Sequence, residues 1–231
     1  MKLFYGTVFP EPEIHPEEQQ HITKVLRMKD GEKIYLTDGA GNAVRGNLVL
    51  EGKKASILPQ EFFQDQKPLK PALHIAIAAT KNIDRTEFFL EKATELGVKE
   101  ITFLLTEKTE RKKLNIEKLR KQAIAASKQS LRFHFPVIND LTKLQDFLSG
   151  KASSNIFAAH CHENLSRENL NSIATGAESV FLIGPEGDFS EREIQLLAEK
   201  GIKAVSLGTQ RLRTETAGVF VAAWNYQKSF E

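Results

Sequence analysis

A single cysteine, Cys161, is all the thiol that 231 residues carry. One thiol closes no internal disulfide, so the fold must be held by its core, and a reducing cytoplasm is the expected address. No apolar run approaches the roughly 20 residues of a membrane helix, so no membrane partner is expected. With 14 glycines and 8 prolines, collagen-like and low-complexity classes are out. Neither sign of charge prevails: 32 Lys and Arg face 30 Asp and Glu, a net +2, and this balance alone names no partner. Metal-ligand spacing is also missing. His160-Cys161-His162 puts three potential ligands in a row at a strand end, where successive side chains face opposite ways. Without a second cluster, no metal is expected. Cys161 is expected to be buried and the two histidines to face polar surroundings. The N-terminus begins like a signal peptide but reaches Glu11 without a small-residue cleavage site. It is read as mature structure.

What is present is ordinary for a soluble globular protein: 41% hydrophobic and 27% charged residues. The length suits one large domain or two small ones. Charge is unevenly spread. Between Lys108 and Arg132 there are nine basic residues, opposed only by Glu110 and Glu117. Such a segment is either a polyanion footprint or a solvated helix face.

The first sixty residues read as mostly β. Lys2 to Phe9 is a strand. Pro16 opens a short helix with Ile22, Val25 and Leu26 on one face. Glu32 to Asp38 and Ala43 to Leu50 form a hairpin around Gly39-Ala40-Gly41-Asn42, and Lys53 to Leu58 is a further strand. Gln64 to Pro71, polar with two prolines, is the best linker. The expected domains are therefore 1–70, a small barrel-like β module, and 71–231.

Beyond the linker, strands and helices alternate. Strands are expected at Leu73 to Ala79, Ile101 to Leu105, Asn155 to Ala159, Ser179 to Ile183 and Lys203 to Leu207. Asp84 with Glu87, and Ser190 with Glu193, read as capping boxes. Gly97 and Gly201 stop the helices that follow them. A long helix spans Asn115 to Leu131, and Thr216 to Gln227 is the last. Repeated βα units predict an α/β fold with a parallel sheet covered on both faces.

In such a sheet, ligands sit at the carboxyl ends of strands. Two loops there stand out. Gly184-Pro185-Glu186-Gly187-Asp188-Phe189-Ser190 follows an apolar strand and precedes a capped helix, so its backbone N–H groups can approach a ligand closely. A plain strand-to-helix turn reads the same way. Ser206 to Ala217 crowds Arg211, Arg213 and Glu215 between a buried strand and an apolar helix. The plain alternative is a Thr214 N-cap with an acidic first turn. Neither loop is a Walker loop or a dinucleotide fingerprint.

At these residues the chain resembles the SPOUT-class RNA methyltransferases, and within them the bacterial 16S ribosomal RNA (uracil-N3) methyltransferases. The likeness runs over nearly the whole length. His21-Ile22-Thr23-Lys24-Val25-Leu26-Arg27 resembles an N-terminal His…Val-Leu-Arg signature, and Asp38 to Gly41 the hairpin. Glu91 to Val98 resembles the first long helix, and Gln129-Ser130-Leu131-Arg132 a Gln-x-x-Arg element. Leu182 to Ser190 and Ser206 to Ala217 resemble two cofactor loops. Two departures stand out: Asp188 replaces a usual second glycine, and Thr209-Gln210-Arg211 replaces Pro-Arg-Ile.

The resemblance implies a PUA-like RNA-binding β-barrel domain followed by a trefoil-knotted domain that binds S-adenosylmethionine. It also implies a homodimer acting on N3 of a uridine in 16S ribosomal RNA of the small ribosomal subunit. The implied cofactor residues are Leu182, Ile183, Gly184, Pro185, Glu186, Gly187, Leu207, Gly208, Leu212, Thr216 and Ala217. The implied RNA contacts are Arg27, Arg111, Lys112, Lys113, Lys128, Gln129 and Arg132. For the chemistry, Arg213 or Arg132 would stabilise the uracil anion, and Glu186 or Glu215 would take the proton or hold backbone N–H groups. Three rivals stay open at this level: a 2′-O-ribose methyltransferase of the same class, a non-catalytic RNA-binding protein on the same scaffold, and a doubly wound oxidoreductase.

Overall fold

The computed structural model describes residues 2–52, 54–64, 66–149, 155–162, 166–174 and 176–230. The chain forms two compact units. One is Met1–Pro68 with Ile124–Phe135, and the other is Leu69–Ala123 with Pro136–Glu231. Among the described residues no helix is long and apolar enough to cross a membrane.

The first unit is a mixed five-stranded sheet. Its strands are β1 (Leu3–Thr7), β2 (Glu13–Ile14), β3 (Lys33–Thr37), β4 (Ala43–Glu51) and β5 (Lys54–Phe63), in the order β2-β1-β3-β4-β5. Only β1 and β3 run parallel; the other neighbours are antiparallel. The expected hairpin joins β3 and β4. Asp38 Oδ1 accepts from the N–H of Ala40 (2.8 Å) and Asn42 (3.2 Å). Gly39 needs its lack of a side chain twice over. Its φ is +74°, and a Cβ there would lie 2.6 Å from the Phe135 ring. β5 runs past its expected end at Leu58; its expected first residue, Lys53, lies outside the described residues, as does Asp65 of the linker. Pro59 reads as a stop, yet a register shift between Arg45 and Gly46 of β4 takes up this residue without a ladder N–H.

Helix α1 (Pro16–Gln20) has proline in its first turn, as expected, and continues as a π-helical turn over His21–Val25. The expected apolar face does not form. Ile22 is buried, but Val25 is 67% and Leu26 42% exposed. The wider turn, closed from Leu26 N–H to His21 O at 2.9 Å, rotates later side chains off the 3.6-residue face. Phe4, Ile14, Ile22, Ile34, Leu36, Val44 and Leu48 make the core of this unit.

The second unit is built on β6 (Ala72–Ala78), β7 (Glu100–Leu105), β8 (Val137–Lys143), β9 (Ile156–Ala159), β10 (Glu168–Asn169), β11 (Glu178–Ile183) and β12 (Lys203–Ser206). All pairings are parallel, in the order β10-β12-β9-β11-β6-β7-β8. Alternate side chains feed two cores. Ile75, Ile77, Phe103, Phe157 and Phe181 face one side, and Ala76, Leu104 and Leu182 the other. That is why these strands read as unbroken apolar runs. The polar strand β8 escaped notice because it is an edge; Asn139 there bonds Glu100 (2.6 Å) and Thr102 (2.8 Å).

The helices are α2 (Ile83–Glu95), α3 (Ile116–Gln129), α4 (Leu144–Leu148), α5 (Glu191–Glu199) and α6 (Thr214–Lys228). Two capping expectations are corrected. Asn82, not Asp84, caps α2, its Oδ1 accepting from Asp84 N–H at 3.0 Å, and Glu87 pairs with Lys118 instead. At α6 the N-cap position is Arg213, without a side-chain cap. Thr214 is already helical and donates to Gly184 O at 3.1 Å. The Ser190–Glu193 capping box on α5 is complete.

Helix α6 lies close on α2 at Gly218, where a Cβ would sit 2.5 Å from the Phe89 ring and 3.0 Å from Ile77. Alanine gains about 1 kcal/mol in helix propensity there, but overpacking a buried contact costs about 1–3 kcal/mol. Gly218→Ala should therefore lower stability, read as a lower urea midpoint. A midpoint that rises would show that Phe89 can move aside freely.

Candidate functional site

Five strands of the second sheet, β6, β7, β9, β11 and β12, end on loops that are tied to one another by side chains. Each apolar strand delivers a polar loop at its carboxyl end, and the loops after β9, β11 and β12 face a common cavity of about 270 Å³. Its walls are the ends of β9 (Ala159, His160, Cys161), β11 (Ile183 to Glu186, Asp188) and β12 (Val205 to Gly208), and the stretch Gln210 to Thr214 with Ala217. Arg167 closes one side.

The walls are mixed in a way that matters for what fits. Ile183, Val205, Leu207, Leu212 and Ala217 offer apolar surface suited to a flat ring. Arg167, Arg211 and Arg213 stand with Glu186 and Asp188 for a charged group of either sign. Gly208 keeps one stretch of wall bare: a Cβ there would meet no atom within 4 Å, and its φ of +134° excludes most side chains.

The loop from Gly184 to Ser190 is held on every side. Asp188 has a left-handed backbone, φ +61°, which an Asp tolerates better than most residues. Its Oδ2 accepts from Cys161 N–H (2.8 Å) and its Oδ1 from Phe189 N–H (2.8 Å). Lys108 Nζ donates to Gly187 O (2.9 Å) and Phe189 O (3.3 Å). Arg211 donates to Glu186 O at 3.2 Å. Glu186 Oε1 accepts from Lys81 N–H at 3.0 Å, and Arg111 donates to Thr80 O (3.0 Å) and Lys81 O (2.6 Å). Buried or partly buried bonds of this kind to charged groups contribute roughly 1.5–3 kcal/mol each, and the exposed ones less.

His160 and Cys161 reverse the expectation. Cys161 is exposed and His160 buried, because the strand ends with His160 turned inward. His160 Nδ1 accepts from His162 N–H at 3.2 Å. Burial lowers the His160 pKa, opposed by the Asp188 carboxylate, and with Nδ1 accepting, the neutral ring carries its proton on Nε2. His162 Nε2 donates to Phe189 O at 3.0 Å.

Of the residues singled out for a cofactor, Ile183, Gly184, Pro185, Glu186, Leu207, Gly208, Leu212 and Ala217 line the cavity. Leu182 points into the core on the opposite face of the sheet. Gly187 packs on Lys108, and Thr216 is exposed on α6; neither is on the wall. Arg213 is on the wall. Glu215 is not: it is buried, 3.7 Å from Arg85 Nε, with no hydrogen bond to its Oε2 among the described residues. Arg132 belongs to the first unit. Lys112 and Lys113 are exposed, whereas Lys128 is ion-paired with Glu18. Sequence reasoning missed His160, Cys161 and Arg167 as wall residues. The strand-end rule that found the other two loops would have found the β9 loop as well.

Comparison with known proteins adds to this geometry. Residues 66–225 match an RNA methyltransferase domain, and residues 14–58 an RNA methyltransferase PUA domain. A ribosomal RNA small subunit methyltransferase E from Rickettsia conorii is 32% identical over 216 residues, 91% of this chain and 87% of its own. The crystal structure of a probable rRNA-methyltransferase from Porphyromonas gingivalis superposes with a TM-score of 0.89 at 34% identity, covering 100% of both chains. A ribosomal RNA small subunit methyltransferase E from Neisseria gonorrhoeae, solved bound to S-adenosyl methionine, is 28% identical with a TM-score of 0.79, covering 97% of this chain and 96% of that one. On the fold, the cavity and these matches together, the chain belongs to the RNA methyltransferase family, with a PUA domain ahead of its parallel-sheet domain.

Proposed function

We propose that this protein is an S-adenosylmethionine-dependent methyltransferase that acts on N3 of a uridine in 16S ribosomal RNA of the small ribosomal subunit, as a cytoplasmic homodimer with a knotted carboxyl-terminal domain. The observation that carries this reading is the cavity at the ends of β9, β11 and β12. Its apolar walls suit an adenine ring, and its charged groups of both signs suit an amino acid zwitterion. Exposed Phe88 on α2 and Phe220 on α6 support a second copy packing there. Residues 1–70, joined in the fold by Ile124–Phe135, serve in this reading as the RNA-binding domain, and the rest of 71–231 as the methyltransferase domain.

The cofactor supplies an electrophilic methyl group on a sulfonium. The protein's own task is then to position and activate the base. Neutral uracil N3 carries a proton and is a poor nucleophile. Removing that proton leaves negative charge on the flanking carbonyl oxygens. Arg213 on the cavity wall offers a fixed fork of donors for that charge. Of the two carboxylates, Glu186 is on the wall, and its Oε1 is committed to Lys81 N–H. It holds the loop and is the better placed proton acceptor. Glu215, turned to Arg85, is assigned an orienting part at the start of α6. N3 is hidden in a stack or duplex, so the base has to be splayed out.

Within the basic segment, Lys108 and Arg111 are committed to loop carbonyls, while Lys112 and Lys113 are exposed and turned to no partner among the described residues, as a phosphate contact requires.

Three measurements check this reading. Small subunits from cells lacking the protein, incubated with it and S-adenosylmethionine, should yield N3-methyluridine on nucleoside mass spectrometry; a 2′-O-methyl nucleoside would move the chemistry to the ribose. Arg213→Ala should slow single-turnover methylation by about 10²–10³-fold and leave cofactor affinity within a few-fold, and a wild-type rate would remove Arg213 from the chemistry. Reversing the charge of Lys112 and Lys113 together should weaken RNA binding and flatten its dependence on log salt. An unchanged slope would return them to a solvated face.

A further inference from the structure

The first unit carries a cavity of its own, of about 420 Å³, lined by Lys2, Leu3, Phe4, His21, Leu26, Ala125, Lys128, Gln129 and Leu131. Its charge is largely spoken for. Lys2 pairs with Glu32 at 3.0 Å, and Lys128 pairs with Glu18, which is itself buried. A cavity whose ammonium groups are already neutralised is poorly suited to a phosphate. What remains on its wall is apolar surface from Leu3, Phe4, Leu26 and Leu131, with two polar tips that have no partner among the described residues, the Gln129 amide and the His21 ring.

The backbone around this cavity is strained in a telling way. Among the described residues three that are not glycine have a left-handed φ: Arg27 (+47°), Leu131 (+58°) and Asp188 (+61°). Asp188 lines the cavity of the second unit. Leu131 lines this one, and Arg27 follows Leu26, which does. Leu131 ends α3 in a turn closed by Arg132 N–H to Ser127 O at 2.9 Å, the position where helices ordinarily place glycine. A leucine there works against its own backbone, and half-exposed it contributes little to the core. Strain kept in such a place marks a side chain that is used.

We propose that this cavity receives one unstacked nucleobase of the RNA, held against Leu26 and Leu131, with the Gln129 amide reading its hydrogen-bonding edge. An amide offers both a donor and an acceptor, which matches the paired donor and acceptor on a base edge. Single-stranded RNA is recognised in this manner, by splayed bases on flat or apolar walls. The proposal rests on the RNA methyltransferase reading and adds a base-specific contact in the first unit to the phosphate contacts proposed for Lys112 and Lys113 of the second.

The test uses the full chain and a 16S ribosomal RNA transcript in filter binding over a salt series, with Leu131→Gly and Gln129→Leu. Leu131→Gly relieves the left-handed backbone, so it should melt no lower than wild type. Both variants should bind RNA about tenfold more weakly, with the slope of log affinity against log salt unchanged, because no phosphate contact is lost. Wild-type affinity in both variants would overturn the cavity. So would a slope shallower by nearly one unit, which would make this a phosphate site. If the wild-type chain binds no ribosomal RNA while still binding S-adenosylmethionine, the RNA reading and this proposal both fall.

Discussion

The interaction on which the second unit depends is the clamp on the loop after β11. A loop with two glycines and a proline has many accessible conformations when free. Here Asp188 ties it to the end of β9, Lys108 to the segment after β7, Glu186 to the loop after β6, and Arg211 and Thr214 to the segment before α6. Each tie joins a charged or hydroxyl side chain to a backbone group on a different strand end. Five loops that are far apart in sequence are thus held together, and three of them line the cavity. The entropy of ordering them is offset before any ligand arrives, and that preorganisation lets a site bind and orient at little further cost.

The clamp also explains why the basic segment is not uniform. From charge alone, Lys108, Arg111, Lys112 and Lys113 look equivalent. In the fold, Lys108 and Arg111 turn toward carbonyl oxygens, whereas Lys112 and Lys113 stay exposed. A guanidinium or ammonium that bonds two carbonyls has given up much of its field. One run of sequence therefore serves two ends: it braces the loops at the cavity and it leaves a cationic patch outside.

Strain is distributed by the same logic. The left-handed residues sit at the two cavities or beside them, and not in the cores. Asp188 is repaid locally by its own two hydrogen bonds. At Leu131 the return is backbone only, Leu131 N–H to Lys128 O at 3.2 Å and Arg132 N–H to Ser127 O at 2.9 Å, with no side-chain hydrogen bond to offset the strain.

Much of this was legible in the sequence. The βα alternation, the Gly39–Gly41 hairpin, the Ser190–Glu193 capping box and the two loops after β11 and β12 follow from periodicity and from residues whose backbone preferences are strong and local. The cavity was legible as two loops because ligands collect at strand ends. What the sequence could not decide was which side chains meet. It placed Thr214 as a cap, Glu215 beside the chemistry, Cys161 in the core and Val25 on a buried face. Three of these turn on contacts far away in the chain, Gly184 O for Thr214, Arg85 for Glu215 and the loop of Asp188 for Cys161, and Val25 on a local π-turn that the 3.6-residue period does not anticipate. Local propensity acts over a few residues, so it determines elements. A hydrogen bond between residues 105 apart, such as Glu186 with Lys81, exists only after the sheet has brought their strand ends together, and so tertiary structure alone decides the site.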